Sequence, residues 1–365
     1  MALTAIDVFA GAGGLTVGLK RAGFRVVAAV ELEPHSFATY KANHPEVKCL
    51  KQDITTVSGA ALLELAETER IDLLAGCPPC QGFTSLTAKY KDKEDPRNKL
   101  VLEMARLAEE LRPQAIMMEN VPGLTRKGKS LYRRLRSRLQ ALDYRLTEGF
   151  LQVADYGVPQ RRRRLVLLGG LGFKVALPDP THSRVQTDDL APWRTVRETI
   201  EDLAAPLTLP EAKARGRVER SQWHVVRQLS SQNAKRIKAA KAGEVWTHIP
   251  EHLRPKCHRE GYVGFTNVYG RMEWDRPSPT ITGGCTTISK GRFGHPEADR
   301  TISVREAALL QTFPPDYLLD TPYMEHVCNM IGNALPCDFA EAVGRGCAEQ
   351  LRKQAVETSP PPTKD

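Results

Sequence analysis

The stretch Asp7-Val8-Phe9-Ala10-Gly11-Ala12-Gly13-Gly14 sets the reading of the whole chain. A strand-like run, Ala5–Ala10, enters it, and a helical pattern, Leu15–Ala22, leaves it. A strand that turns straight into a helix around glycines lets the backbone approach a ligand closely, because glycine has no side chain in the way. A second β-rich run, Val26–Val30, leads to Glu31, 20 residues beyond Gly11. At that separation an acidic side chain can grip the ribose hydroxyls of a nucleotide-like cofactor. Thr16 stands where the dinucleotide fingerprint asks for a third glycine, which disfavours a nicotinamide cofactor without excluding it. A tight strand-to-helix turn that binds nothing is the competing reading.

Outward from this turn, short β-rich runs (Ile71–Ala75, Ala115–Met118, Leu165–Leu168) alternate with helical stretches up to about residue 170. That rhythm predicts an α/β domain with a mostly parallel sheet. Leu131, Leu135, Leu139 and Leu142 recur at helical spacing, with arginines on the other faces. From about Pro178 prolines break the rhythm, and residues 186–300 read as a second, irregular region. Helical pattern returns at Val304–Gln311 and Pro336–Gln354. The tail 357–365, with three consecutive prolines, is expected to be disordered.

Composition bounds the class. With 365 residues, 41% hydrophobic and 26% charged, the chain is neither a disordered polymer nor a disulfide-stapled miniprotein. No apolar run is long enough to span a membrane. Met1–Ile6 lacks the charged and apolar regions of a signal peptide, and eight irregularly spaced cysteines suit a reducing compartment. A cytoplasmic protein without a membrane partner is expected. The net charge of +9 is concentrated. Residues 121–170 hold 12 Lys/Arg against 3 Asp/Glu, and residues 211–260 hold 12 against 5. Two basic blocks on an otherwise acidic chain suit a polyanion partner, with solvated helix faces as the alternative.

A second turn, Gly76-Cys77-Pro78-Pro79-Cys80-Gln81-Gly82-Phe83-Thr84, follows the third strand-like run. Its prolines and glycines stiffen a loop at the carboxyl edge of the sheet, where open α/β sheets bind ligands. Half a zinc site is one reading, but no second Cys-x-x-Cys occurs in the chain. A redox pair is another, ill-suited by the diproline. The third is a cysteine nucleophile on a rigid loop. Cys77 lies nearer the strand and is expected to pack, while Cys80 is better placed to project.

These pieces form an ordered set with Glu119-Asn120-Val121, Gln160-Arg161-Arg162-Arg163-Arg164, Arg305-Glu306-Ala307, Leu310-Gln311-Thr312-Phe313-Pro314 and Gly332-Asn333-Ala334-Leu335-Pro336. The set closely resembles the cytosine-5 DNA methyltransferase family, over about residues 4–345. The resemblance implies a Rossmann-like S-adenosylmethionine methyltransferase fold with a mostly parallel sheet and a smaller irregular target-recognition domain. The catalytic, cofactor-binding domain would comprise residues 1–185 and 322–356, and the DNA-binding recognition domain residues 186–321. It further implies a monomeric DNA (cytosine-5-)-methyltransferase acting on double-stranded DNA, as in restriction–modification, with S-adenosylmethionine as donor, S-adenosylhomocysteine as product and no metal.

By the same resemblance Cys80 is the nucleophile, attacking carbon-6 of a flipped cytosine. Glu119 bonds ring N3 and the exocyclic amine, for which it must carry or share a proton. Arg164 contacts the base and active-site loop, and Arg162 supports it. The cofactor set is Phe9 on the adenine, Gly11, Gly13 and Gly14 beneath the methionine moiety, Glu31 on the ribose and Leu32 against the adenine. Asp53 with Ile54 lies near the adenine amino group, Leu100 forms an apolar wall, and Asn333 with Ala334 closes the pocket. For Asp53 a helix N-cap before Thr55 is an equal alternative. Thr84 replaces the usual serine, and Met330 stands where glutamine often precedes the Gly-Asn pair.

Candidate DNA-contacting residues are Gln81, Arg161, Arg163, Lys235, Arg236, Lys238, Arg271, Thr282 and Gly283, since Lys/Arg anchor phosphates and a few side chains read bases. Arg161 and Arg163 are equally readable as solvated. Cys257 and Cys285, with His252 and His258, make a metal cluster imaginable, but such groups are usually structural. Three rival functions remain: a tRNA cytosine-5 methyltransferase of the same fold, a catalytically inactive DNA-binding regulator, and a nicotinamide oxidoreductase resting on the glycine turn alone.

Overall fold

The computed structural model describes residues 2–79, 96–216, 223–259 and 265–358. A seven-stranded sheet is built from β1 (Leu3–Val8), β2 (Phe24–Val30), β3 (Lys48–Leu50), β4 (Leu73–Gly76), β5 (Ala115–Asn120), β6 (Tyr144–Gln152) and β7 (Arg163–Leu171), in the order β3-β2-β1-β4-β5-β7-β6. The helices are α1 (Gly14–Arg21), α2 (Pro34–Asn43), α3 (Gly59–Ala66), α4 (Glu103–Leu111), α5 (Lys129–Ala141), α6 (Arg197–Ile200), α7 (Leu209–Ala214), α8 (Ser231–Ala239), α9 (Val304–Leu310), α10 (Met324–Asn333) and α11 (Cys337–Thr358). This is the Rossmann-like methyltransferase fold. Its first five strands are parallel, and β7 runs antiparallel between β5 and β6.

Strands β4 and β5 are buried along their whole length, as a sheet covered on both faces requires. On one face Ile6, Val8, Leu74, Ile116, Met118, Leu165 and Leu167 join a single core with Leu62, Met104, Leu107, Leu135 and Leu139. Alternation turns Asp7, Ala75, Met117 and Val166 to the opposite face. There α1 packs on α11, and α11 reaches β5. Gly18 permits the helix crossing: a Cβ there would lie 2.4 Å from Ala340 Cβ.

Two strands were not anticipated. The segment β3 is only three residues long, and β6 is an edge strand whose exposed and covered residues mix along its length. Neither offers a continuous apolar run. The periodic leucine stretch forms α5, with Leu135 and Leu139 fully buried.

Contacts group the chain into two units, residues 1–152, 163–179 and 337–365 against 153–162 and 180–336. Helix α10, assigned from sequence to the cofactor half, groups here with the second unit. Helix α11 continues to Thr358, so Glu357 and Thr358 are helical, and the rest of the expected tail lies outside the described residues. The second unit has short strand pairings, Leu207–Thr208 with Val225–Val226 and His182–Ser183 with Ala191–Pro192. It also has a small core of Ile237, Ala240, Trp246, Ile249, Val268, Tyr269 and Ile288.

Candidate active site

Register places the site's first half. In the sheet Asp7 is level with Ala29 and Ala75, Ala29 with Cys49, and Gly76 with Met118. Each strand's next or next-but-one residue therefore reaches the carboxyl edge on one face, where Glu31, Cys77 and Glu119 follow β2, β4 and β5's Met118. Glu119 is also level with Val166 of β7, two residues from Arg164. One face of the edge thus carries Asp7, Glu31, Cys77, Glu119 and Arg164.

The glycine turn is strained where a ligand would sit. Gly11 and Gly13 have φ of 57° and 93°, and Phe9, which is not glycine, has φ of 60°. A left-handed aromatic residue costs roughly 1 kcal/mol and persists only where its surroundings enforce it. A Cβ at Gly11 would meet nothing within 4 Å, so the turn leaves open space beside the backbone. Glu31 organises this space: Oε2 accepts from Gly11 N at 2.7 Å and Oε1 from Glu33 N at 2.7 Å. Burial raises its carboxyl above the ordinary value despite these bonds. Leu32 beside it is exposed.

Thr16 explains the missing third glycine. Its hydroxyl donates to Asp7 Oδ2 at 2.7 Å and lies 2.8 Å from the Tyr40 hydroxyl, all fully buried. A glycine would strand the carboxyl group. Burial lifts Asp7 to about 7, and its Oδ1 has no hydrogen-bond partner among the described residues. Asp53 caps the turn Ile54–Thr56, accepting from Thr55 N at 2.9 Å and Thr55 Oγ1 at 2.8 Å. Its first role here is therefore the cap. Ile54 is buried, and Leu100 packs against the sheet core.

At the other end of the edge, Glu119 is 8% exposed, with Oε1 2.5 Å from Arg164 Nε. The N–H does not point at this oxygen, so the contact is an ion pair without a formed hydrogen bond. It is neither a helix cap nor a surface acid. Asn120, next in sequence, donates from Nδ2 to Pro78 O at 3.1 Å and accepts Val121 N at 2.9 Å. It ties the end of β5 to the proline–cysteine turn, a link that sequence reading did not single out. Cys77 and Glu119 follow the paired residues Gly76 and Met118 and are neighbours across β4 and β5. Burial, then the nearby carboxylates of Glu119 and Asp7, push the Cys77 thiol well above the ordinary range. A thiol so held is neutral and a poor nucleophile. Cys80 and Gln81 lie outside the described residues.

In the second unit the Gln-Arg segment is a framework. Gln160 Nε2 donates to Gln311 Oε1 at 2.7 Å, and its Oε1 accepts from Ile281 N at 2.9 Å. Gln311 in turn donates to the carbonyls of Ile331 and Ala334. Buried Arg162 donates to Ile281 O at 3.3 Å and Gly332 O at 3.2 Å. The loop at Thr282–Gly283 lies tight against α10: a Cβ on Gly332 would be 2.1 Å from Gly283 N. Asn333 is exposed at the end of α10, with Ala334 half-buried behind it. Gln311 joins Gln160 and Ile331, 151 and 20 residues away in sequence, so its central place depends on the fold.

Several expected DNA contacts change. Arg271 is 4% exposed and spends its guanidinium on the carbonyls of Ile237, Ala240, His295, Glu297 and Ala298 and on Asp299. It is a structural staple, its guanidinium committed to groups of its own unit. Arg236 is committed to Leu253 O at 2.7 Å, Asn233 Oδ1 at 2.7 Å and the Tyr269 ring. Lys235 and Lys238 on the same helix are exposed, as are Arg161 and Arg163. Cys285 is fully buried, while Cys257 lies beside His258 with Sγ 3.2 Å from Nδ1.

A doubly wound sheet thus carries a glycine turn, the Glu31 carboxyl and the buried Glu119–Arg164 pair on one edge. The family model described as C-5 cytosine-specific DNA methylase matches residues 3–349, and the chain belongs to that family. It is 36% identical to a Type II methylase, M.HgiDII of Herpetosiphon aurantiacus, over 95% of this chain and 94% of the relative. It is 34% identical to a Type II methyltransferase, M1.HphI of Haemophilus parahaemolyticus, over 94% and 86% of the two chains. Among solved structures, Spodoptera frugiperda DNMT2 superposes with a TM-score of 0.64 at 18% identity, covering 95% of this chain and all of that one, a likeness of fold. The chain is thus a DNA (cytosine-5) methyltransferase by family.

Proposed function

We propose that the protein methylates carbon-5 of a cytosine flipped out of double-stranded DNA, acting as a monomer within a restriction–modification pair. S-adenosylmethionine, when bound, supplies an electrophilic methyl group. The residues present fit such a cofactor. The turn at Gly11–Gly14 leaves room beside its backbone, and Glu31 keeps lone pairs for ribose hydroxyls beyond those its backbone donors use. Phe9, Leu32, Ile54 and Leu100 would supply apolar surface for the adenine, with Asp53, Asn333 and Ala334 completing the set.

The chain's own chemistry follows from the substrate. Carbon-5 of cytosine is a weak nucleophile. Attack of the Cys80 thiolate on carbon-6 forms a carbon–sulfur bond and moves the electron pair of the 5,6 double bond towards carbon-5 and the ring. Glu119 shares a proton with N3, which disperses the charge on the ring. After methylation at carbon-5, loss of the carbon-5 proton restores the double bond and expels the thiolate. Arg164 balances the charge of the Glu119 carboxylate, and Arg162 fixes the Ile281 and Gly332 carbonyls in the second unit. Flipping the base costs a few kcal/mol, offset by pocket and phosphate contacts. Lys235, Lys238, Arg161 and Arg163 are the exposed cations for phosphates.

The single observation that carries this reading is the shared edge. The glycine turn with Glu31 and the Glu119–Arg164 pair stand on one face of one sheet. Duplex DNA carrying 5-fluorocytosine tests it. The fluorine cannot leave as a proton does, so wild-type protein with S-adenosylmethionine should form a denaturation-resistant adduct and Cys80→Ser should form none while still binding cofactor and DNA. An adduct in Cys80→Ser refutes the nucleophile. Methyl label entering only tRNA refutes the DNA substrate, and DNA binding without adduct in the wild type favours an inactive regulator.

A further inference from the structure

The segment from Val121 to Leu142 holds seven Lys/Arg and no Asp/Glu. The fold divides these charges by helix face. Arg138 pairs with Glu109 of α4 at 3.2 Å, and Arg136 with Glu148 of β6 at 3.3 Å. Arg126, Lys129 and Arg133 are exposed, and among the described residues no acid or carbonyl engages their side chains. Lys129, Arg133 and Arg136 recur at four and three residues, so they share the side of α5 that turns to β6. Tyr132 on that side also donates to Glu148, so the nearby acid is already held by two partners.

The sheet brings an aromatic ring to the same place. Phe150 lies two residues beyond Glu148, on the same face of β6, and is 43% exposed. The Arg163 guanidinium covers this ring at 5.8 Å from its centroid. Among the described residues no acceptor takes the Arg163 N–H groups. Leu165 of β7 is level with both Phe150 and Asn120, the residue after Glu119. Strands lie about 4.8 Å apart, so Phe150 stands about 10 Å across the sheet from Asn120, at the same edge and on the other face. Duplex DNA carries about one charge per 1.7 Å of axis, so several phosphates fall within about 10 Å of any target base.

We infer that the sheet unit carries a DNA-backbone surface of its own: Arg126, Lys129, Arg133 and Arg163 hold phosphates beside the target cytosine, and Phe150 packs its exposed ring against the adjoining sugar. This rests on the reading that a cytosine of duplex DNA enters at the Glu119 edge. Phosphate contacts carry no sequence information, so the surface adds affinity on any duplex and leaves base choice to other residues.

Binding of the full chain to a fluorescent mixed-sequence duplex, followed by anisotropy over a salt series without S-adenosylmethionine, tests this. Arg126→Gln with Lys129→Gln and Arg133→Gln should reduce the salt slope of log K by about 3, at 0.9 per phosphate, with Tm and cofactor affinity unchanged. The charge-preserving set Arg126→Lys, Lys129→Arg and Arg133→Lys should keep the slope. Phe150→Ala should weaken binding about tenfold, the scale of one lost aromatic contact, with the slope unchanged. Arg352→Gln with Lys353→Gln, exposed cations of α11, should change the slope little. A wild-type slope in the triple glutamine variant overturns the surface, and so does an equal loss per charge in the α11 pair, which would report net charge alone. A slope change seen only with duplex RNA overturns DNA as its partner. If the wild type itself does not bind duplex DNA, the substrate reading fails and this inference with it.

Discussion

In the sheet unit the backbone groups of β1, β4 and β5 satisfy one another along a parallel ladder, and arginines such as Arg106 and Arg112 each reach a single carbonyl outside it. In the second unit the strands are two residues long, and arginine does the work of the ladder. Arg162, Arg236, Arg254, Arg271 and Arg292 each donate to backbone carbonyls of their own unit. A buried carbonyl needs a donor, and irregular chain without neighbouring strands has few N–H groups to give. A guanidinium, with five donors in a rigid fork, fills that need. Positive charge in the two units therefore means different things. In the second, much of it is internal scaffolding, and a count of basic residues overstates what is free for phosphate.

The largest expected effect tests the edge of the sheet. Glu119→Gln should lower the methyl-transfer rate at least ~100-fold, the low end for a positioned acid–base group, while thermal unfolding stays near wild type. A small loss would remove Glu119 from the chemistry. In the second unit Arg271→Ala should cost about 3–5 kcal/mol in urea unfolding, because it leaves buried carbonyls and Asp299 without their donor. Unchanged stability would break the scaffolding reading.

A smaller loss is expected where α1 crosses α11. Gly18→Ala places a methyl 2.4 Å from Ala340 Cβ and should cost about 1–3 kcal/mol by overpacking, against a slight gain in helix propensity. Asp7 gives a pH signature. Its carboxyl rises from 3.8 to about 7 on folding, so the protonated form is the one folding favours. That contribution is complete below pH 3.8 and is lost as pH rises through about 7. Stability should fall by about 1 kcal/mol between pH 6 and 8, one pKa unit's worth, and Asp7→Asn should flatten the dependence in thermal melts. Equal slopes would show that Asp7 does not titrate there.

The smallest effect sharpens the charge comparison. Lys235→Glu with Lys238→Glu should weaken DNA binding and reduce the salt slope of log K by about 2, one per lost phosphate contact, with no change in Tm. If stability falls and the slope does not, these lysines are scaffolding like their arginine neighbour.

Much of the sheet unit was legible. Strong apolar runs at β1, β2, β4, β5 and β7 and the periodic leucines of α5 announce themselves because burial imposes a period. The strands β3 and β6 did not, one being too short and the other an edge. The glycine turn, Glu31 and Glu119 could be picked out by position. The hydrogen bond from Thr16 to Asp7 could not, because two residues nine apart meet only once the turn is folded. Arg271 and Arg236 were read as phosphate contacts because sequence shows a charge and hides what its donors touch.

The sequence by itself determined the α/β order, the glycine turn with its acid and the ordered motifs that place the chain among cytosine-5 methyltransferases. These are local or additive properties, set by the period of apolar residues and by glycine's freedom. Tertiary structure alone decided which side chains share a face of the sheet edge, Cys77 and Glu119 among them, and which arginines are spent on carbonyls. Those outcomes depend on register between strands and on the hydrogen-bond needs of distant backbone, and no single segment carries either.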